Sequence, residues 1–106
     1  MFVETKRDGE ARIVNEWQQI LLDAANLLEA EGWCQHTLMD KENRRCILGA
    51  IYYQSCSQSL QIEAHSRMVK YLGCDVDIWN DAPGRTKEEA VAALRSAAMQ
   101  GLNHDA

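Results

Sequence analysis

The chain has 106 residues, 46% hydrophobic and 25% charged, enough for one domain with a core of its own. Eleven basic against sixteen acidic residues leave a net charge of -5, which repels a phosphate backbone and puts nucleic acid outside the expected partners. No stretch approaches the roughly 20 apolar residues of a membrane span, so no membrane partner is expected.

The N-terminal run "MFVETKRDGEAR" is too charged to be the apolar core of a signal peptide. A cytoplasmic location follows as the expectation, and there the four cysteines stay reduced. We read residues 1–12 as a flexible segment, 13–102 as one globular domain and 103–106 as a frayed tail.

In chain order, Ile13–Glu31 has the clearest helical period. Val14, Trp17, Leu21, Ala24 and Leu28, flanked by Ile20 and Leu27, make a broad apolar stripe. Gly32 stands where a left-handed residue would end the helix. Asp40–Asn43 is a turn-like cluster between two short runs, and we read Gln35–Met39 and Arg44–Ile47 as a small β-hairpin lying on the helices. A short helix is expected over about Cys46–Gln54. Ser57 or Ser59 then caps a third, about Leu60–Leu72, with Ile62, His65, Val69 and Leu72 on its stripe and Ala64, Met68 and Tyr71 widening it.

Gly73 closes that helix. "CDVDIWNDAPGRT" reads as an ordered connection in which Pro83–Gly84 suits the middle of a type II turn. Thr86 and Glu89 form a capping box for the last helix, Lys87 to about Gln100, with Val91, Leu94, Ala98 and Leu102 inward. The expected fold is mainly α: a bundle of about four helices with the hairpin between the first and the second.

The cysteines and histidines raise the question of chemistry. Structural zinc sites bring ligand pairs close in sequence, and this chain has no such pair. No metal and no cofactor are expected, and Cys46, Cys56 and Cys74 read as small buried hydrophobes.

A thiol nucleophile has a workable cast. Cys46 lies near a helix N-terminus beside Arg44 and Arg45, with His36 or His65 as base and Asp81 as its orienting group. Chain order alone does not assemble that cast. The acidic run from Asp75 suggests a calcium loop, but its sixth and twelfth positions hold Asn80 and Thr86 where Gly and Glu belong. Its carboxylates are expected to cap turns and to pair with Arg85 or Lys70. His65, on an apolar face, reads as a hydrogen-bonded residue at the core edge. Trp33 with Gln35, and Trp79 with Asn80 and Asp81, could form a binding platform or could seal the ends of the core.

The order "GWCQ", a charged turn, "CILGA", then "IWNDAPGRT" before an Ala-rich helix resembles a family of small uncharacterised proteins of bacteria and their phages. The resemblance runs over about Ile20–Ala98. It is carried by Gly32, Trp33, Cys34 and Gln35, by Cys46, Leu48, Gly49 and Ala50, and by Trp79, Asn80 and Asp81. It implies a bacterial or phage setting and carries no reaction and no ligand.

Two functional expectations follow. The first is a non-enzymatic protein-binding or regulatory module. Its partner is another protein or a second copy of the chain, the latter packing through Ala90, Ala93 and Ala97. The alternative is a small-molecule-binding protein or thiol-dependent enzyme built on Trp33, Cys34, Gln35, Cys46, Trp79, Asn80 and Asp81.

Overall fold

The structure, a computed structural model, describes residues 15–104, with side chains to residue 100. Asn15 caps α1 (Glu16–Glu31), its backbone N–H donating to Gln18 Oε1 at 2.8 Å. Then follow α2 (Ile47–Tyr53), α3 (Gln58–Leu72), α4 (Val76–Asn80) and α5 (Lys87–His104). Val14, Leu102 and the two proposed flexible ends lie outside these described side chains.

Most of the helix ends have a local cause. Cys46 caps α2 through its sulfur, which accepts from the Gly49 N–H, and Ser57 caps α3 through its hydroxyl, which accepts from the Leu60 N–H. The Thr86–Glu89 capping box closes at 3.0 and 3.1 Å and starts α5. Gly73 is left-handed (φ 78°) and ends α3 as expected. Gly32 also has positive φ (106°), but its ψ of 160° is not that of a left-handed cap. It turns the chain outward in a region open only to glycine. The Ala82–Arg85 turn places Gly84 at φ 84°, and the Arg85 N–H donates to the Ala82 carbonyl at 3.1 Å, as a type II turn requires.

α1 is the central element. It packs against α5, α2 and α3, α5 also meets α3, and α4 seats on α2 and α3. Leu21, Ala24, Ala25 and Leu28 of α1 are fully buried with Ile47, Ala50 and Ile51 of α2, Ala64 and Met68 of α3, Val76 of α4 and Ala90 and Leu94 of α5. Burying the leucine, isoleucine, valine and methionine side chains among these stabilises by about 1.5–3 kcal/mol each.

Three expectations change. The proposed hairpin is a loop: among the described residues there is no strand, only isolated bridges from Arg45 to Trp33 and to Met39. The turn is real, with the Asn43 N–H on the Asp40 carbonyl at 3.0 Å and the Asp40 N–H on the Arg44 carbonyl at 2.9 Å. Arg45 must serve both flanks, so neither extends into a ladder. The stripe of α3 is centred on Ala64 and Met68, and Ile62 is 61% exposed. Packing with α1 and α5 rotates the helix away from the face its most apolar residue would choose. Finally, Ala90, Ala93 and Ala97 are buried in the core. The small residues that suggested self-packing are used inside the chain, where they let α1 and α5 approach closely.

Gln18 is buried although its residue type suggests a solvent position. Its Nε2 donates to the Ala98 carbonyl at 2.8 Å, tying the start of α1 to the end of α5. Spacing carried a signal: Gln18, Leu21, Ala25 and Leu28 lie on one helical face. His65 pairs with Tyr52, ring Nδ1 to hydroxyl at 3.0 Å, as a core-edge histidine should.

Candidate functional site

The loop after α1 and the end of α4 meet at one corner, and Asn80 joins them. It is the last residue of α4 and is fully buried. Its Oδ1 accepts from Trp33 Nε1 at 2.7 Å and from the Ile47 N–H at 3.1 Å. Its Nδ2 donates to the Cys34 carbonyl at 3.2 Å and to Asp81 Oδ1 at 2.9 Å. One amide thus uses all its hydrogen-bonding capacity on four groups from three segments.

Neighbouring residues add to the seam. Gln35 Nε2 donates to the carbonyls of Asn80 (3.0 Å) and Ala82 (3.1 Å). The His36 N–H donates to Asp81 Oδ1 at 2.9 Å. His36 has φ 73°, and its ring is 74% exposed with Nδ1 3.7 Å from Asp81 Oδ2. The expected pairing of Asp81 with Arg85 or Lys70 is replaced by these contacts with His36 and Asn80. Arg85 instead lies over the Trp79 ring, 3.7 Å from its centre, and reaches Glu89 at 3.8 Å.

Both loop cysteines are buried. The Cys34 thiol donates to the Arg44 carbonyl at 3.2 Å, and Cys46 caps α2. Burial pushes both thiols above their ordinary pKa, with Asp40 adding to the rise at Cys34. A reactive cysteine needs the opposite shift. His36 points to solvent while Cys34 is buried; the positive φ of His36 (73°) breaks the extended run that would have put residues two apart on one face. Among the described residues no three His, Cys, Asp or Glu side chains converge as a metal site would require.

Thiol accessibility follows directly. With iodoacetamide on the native chain at about pH 8, the exposed Cys56 is alkylated first, and Cys34 and Cys46 react only once the chain opens. Peptide mass mapping before and after denaturation reads the order; fast native labelling of Cys34 or Cys46 contradicts it.

Asp81 sets a pH dependence. Partial burial raises its pKa, but hydrogen bonds from Asn80 and the His36 N–H, with the His36 ring nearby, outweigh this and hold it below the usual carboxylate value. A carboxyl depressed in the folded state contributes stability that is present above its unfolded pKa of about 4 and is lost as pH falls through the folded value. Acid unfolding of the wild type should therefore run steeper below about pH 4 than that of Asp81→Asn, measured by circular dichroism.

Of the seven residues singled out, Trp33, Cys34, Gln35, Asn80 and Asp81 share one network, and Cys46 adjoins it through Ile47. Trp79 turns elsewhere. It lines an open groove of about 490 Å³ with Tyr71, Leu72, Glu89, Ala92, Ala93 and Ser96, and the other six do not line it. A second groove of about 380 Å³ continues from Ala92 and Ser96 to Glu29, Lys87, Glu88, Val91 and Arg95. Sequence reasoning missed this surface. Its only trace is that Ala92 and Ser96, four apart, leave a low strip on α5.

No curated protein and no solved structure is a significant match to this chain. The family of unknown function DUF6197 matches it over residues 14–100, a stretch that includes the whole seam from Trp33 to Asp81. The chain belongs to that family.

Proposed function

We propose that the protein is a non-catalytic binding module that holds a partner protein against the α5 groove beside Trp79. The observation that carries this reading is the contrast between the two candidate regions. In the seam the Trp33 indole, the Gln35 amide nitrogen and both ends of the Asn80 amide are already bonded within the chain, so little of the buried polar surface is left for a substrate. The groove beside it is open, with a half-buried tryptophan, a tyrosine 40% exposed and a floor of alanine and serine. Aromatic side chains around a shallow apolar floor are the composition of protein-binding hot spots. A short helix or extended segment with an apolar anchor suits it.

The buried, high-pKa thiols weigh against the thiol-enzyme alternative. Four unpaired cysteines, one of them exposed, support a reducing cytoplasm as its location. A bacterial or phage setting rests on the motif resemblance alone.

The test is recovery of a partner by tagged protein at near-native abundance, beside Ala92→Arg and Ser96→Arg, which fill the groove floor at exposed positions. A partner held by the wild type and lost from both variants, with helix content unchanged, supports the reading. Recovery of free protein only, or equal retention by all three, overturns it.

A further inference from the structure

The pairing of the loop with the residues before α2 puts two cysteines opposite each other, one step beyond an isolated bridge. Trp33 and Arg45 form a parallel bridge, held by the Cys34 N–H on the Arg45 carbonyl at 3.1 Å and the Arg45 N–H on the Gly32 carbonyl at 3.3 Å. One residue further along both segments stand Cys34 and Cys46. Cys34 and Cys46 are not themselves a bridged pair, but one step beyond a bridge neighbouring segments are still close to their spacing of about 4.8 Å. That spacing is inside the range a disulfide spans. Both cysteines are buried, while the bridged Trp33 and Arg45 that precede them are partly exposed.

The same two residues flank the Asn80 hub. The Cys34 carbonyl accepts from Asn80 Nδ2, and Ile47, next to Cys46, donates to Asn80 Oδ1. A bond between the two sulfurs would close the intervening loop over the hub. It would also withdraw the Cys34 thiol from the Arg44 carbonyl and the Cys46 sulfur from the Gly49 N–H, two weak contacts at 3.2 and 3.4 Å.

We propose that Cys34 and Cys46 form a reversible disulfide when the protein meets a peroxide, locking the Gly32–Ile47 loop against Asn80. The Cys34 thiolate attacks a peroxide oxygen, the O–O bond breaks, and the leaving oxygen takes up a proton as water or an alcohol. The resulting sulfenic acid is attacked by the Cys46 sulfur. The S–O bond breaks, the S–S bond forms, and the hydroxyl leaves with the Cys46 proton as water. Two thiols supply the two electrons that reduce the peroxide. A small neutral oxidant suits sulfurs that a bulky disulfide reagent reaches poorly. Burial makes the step slow and confines it to strong or lasting oxidant exposure.

The experiment treats full-length protein, and Cys56→Ser/Cys74→Ser, with hydrogen peroxide under native conditions. Proteolytic fragments are then mapped without reductant. The expected result is a linked pair of fragments carrying Cys34 and Cys46 in both proteins, reversed by dithiothreitol. Amide exchange over residues 33–47 should slow by on the order of a hundredfold in the oxidised form, as closing a loop of this size implies. Cys34 and Cys46 remaining as thiols or carrying only sulfinic acid overturns the proposal. So does a linkage formed only after denaturation, or one that leaves exchange in the loop unchanged.

Discussion

Asn80→Ala lowers the free energy of unfolding by about 3–5 kcal/mol, a large share of what a domain of this size has. The substitution removes few apolar contacts. Its cost lies in what it leaves behind: the Trp33 indole N–H, the Ile47 N–H and the Cys34 carbonyl lose their partner in the buried seam. Each such orphan costs about 1–3 kcal/mol. Partial relaxation and water entry keep the total below the sum. Equilibrium denaturation by urea measures it, and a loss under about 1 kcal/mol means that the amide is not the hub described.

Asn80→Asp separates the acceptor role from the donor role. Its carboxylate still accepts from Trp33 and Ile47, but it faces the Cys34 carbonyl and the Asp81 carboxylate where Asn80 donates. Burial and a like charge raise the folded-state pKa of the new carboxyl above its unfolded value. A raised folded-state pKa contributes stability that is full below the unfolded value, about 4, and is lost as pH rises through the folded value. The stability gap between Asn80→Asp and the wild type therefore narrows on acidification toward about pH 4. A gap independent of pH contradicts the donor assignment.

Gly49→Ala is the second large effect, about 2–4 kcal/mol destabilising. Judged by propensity alone it should help, because alanine is better than glycine inside a helix by about 1 kcal/mol. Packing reverses the sign. A Cβ on Gly49 runs into the Leu38 carbonyl oxygen, which is backbone and cannot rotate away. That carbonyl accepts from the Cys46 N–H at 3.2 Å, so moving it disturbs the start of α2 as well. Gly73→Ala is the control. Nothing lies within 4 Å of its Cβ position, and only the left-handed backbone (φ 78°) resists, at about 1 kcal/mol. Thermal melts of the two variants should separate clearly, with Gly49→Ala the lower.

These effects mark how far the sequence reaches. Helix periods, the Ser57 cap, the Thr86–Glu89 box and the Pro83–Gly84 turn were legible because each is set by residues within four positions of one another. The five-residue α4 was hidden inside the connection after Gly73. It is one turn long, too short for a period, and exists because Val76 is buried and Asn80 is bonded from outside.

The candidate site divides along the same line. That the Trp33 and Asn80 motifs deserved joint attention was visible in their residue types. That they touch, and that an amide fills the space between them, depends on groups 33 to 47 residues apart. Ile62 went outward and Gln18 inward for the same reason. The sequence by itself determined roughly where four of the five helices run and where the Pro83–Gly84 turn falls, since those are local hydrogen-bond and steric questions. Only the tertiary structure decided which face of each helix was buried, that Gly49 lies under Leu38, and that the seam is filled while the groove beside Trp79 is open. Those outcomes depend on the relative placement of distant segments, and no local pattern encodes it.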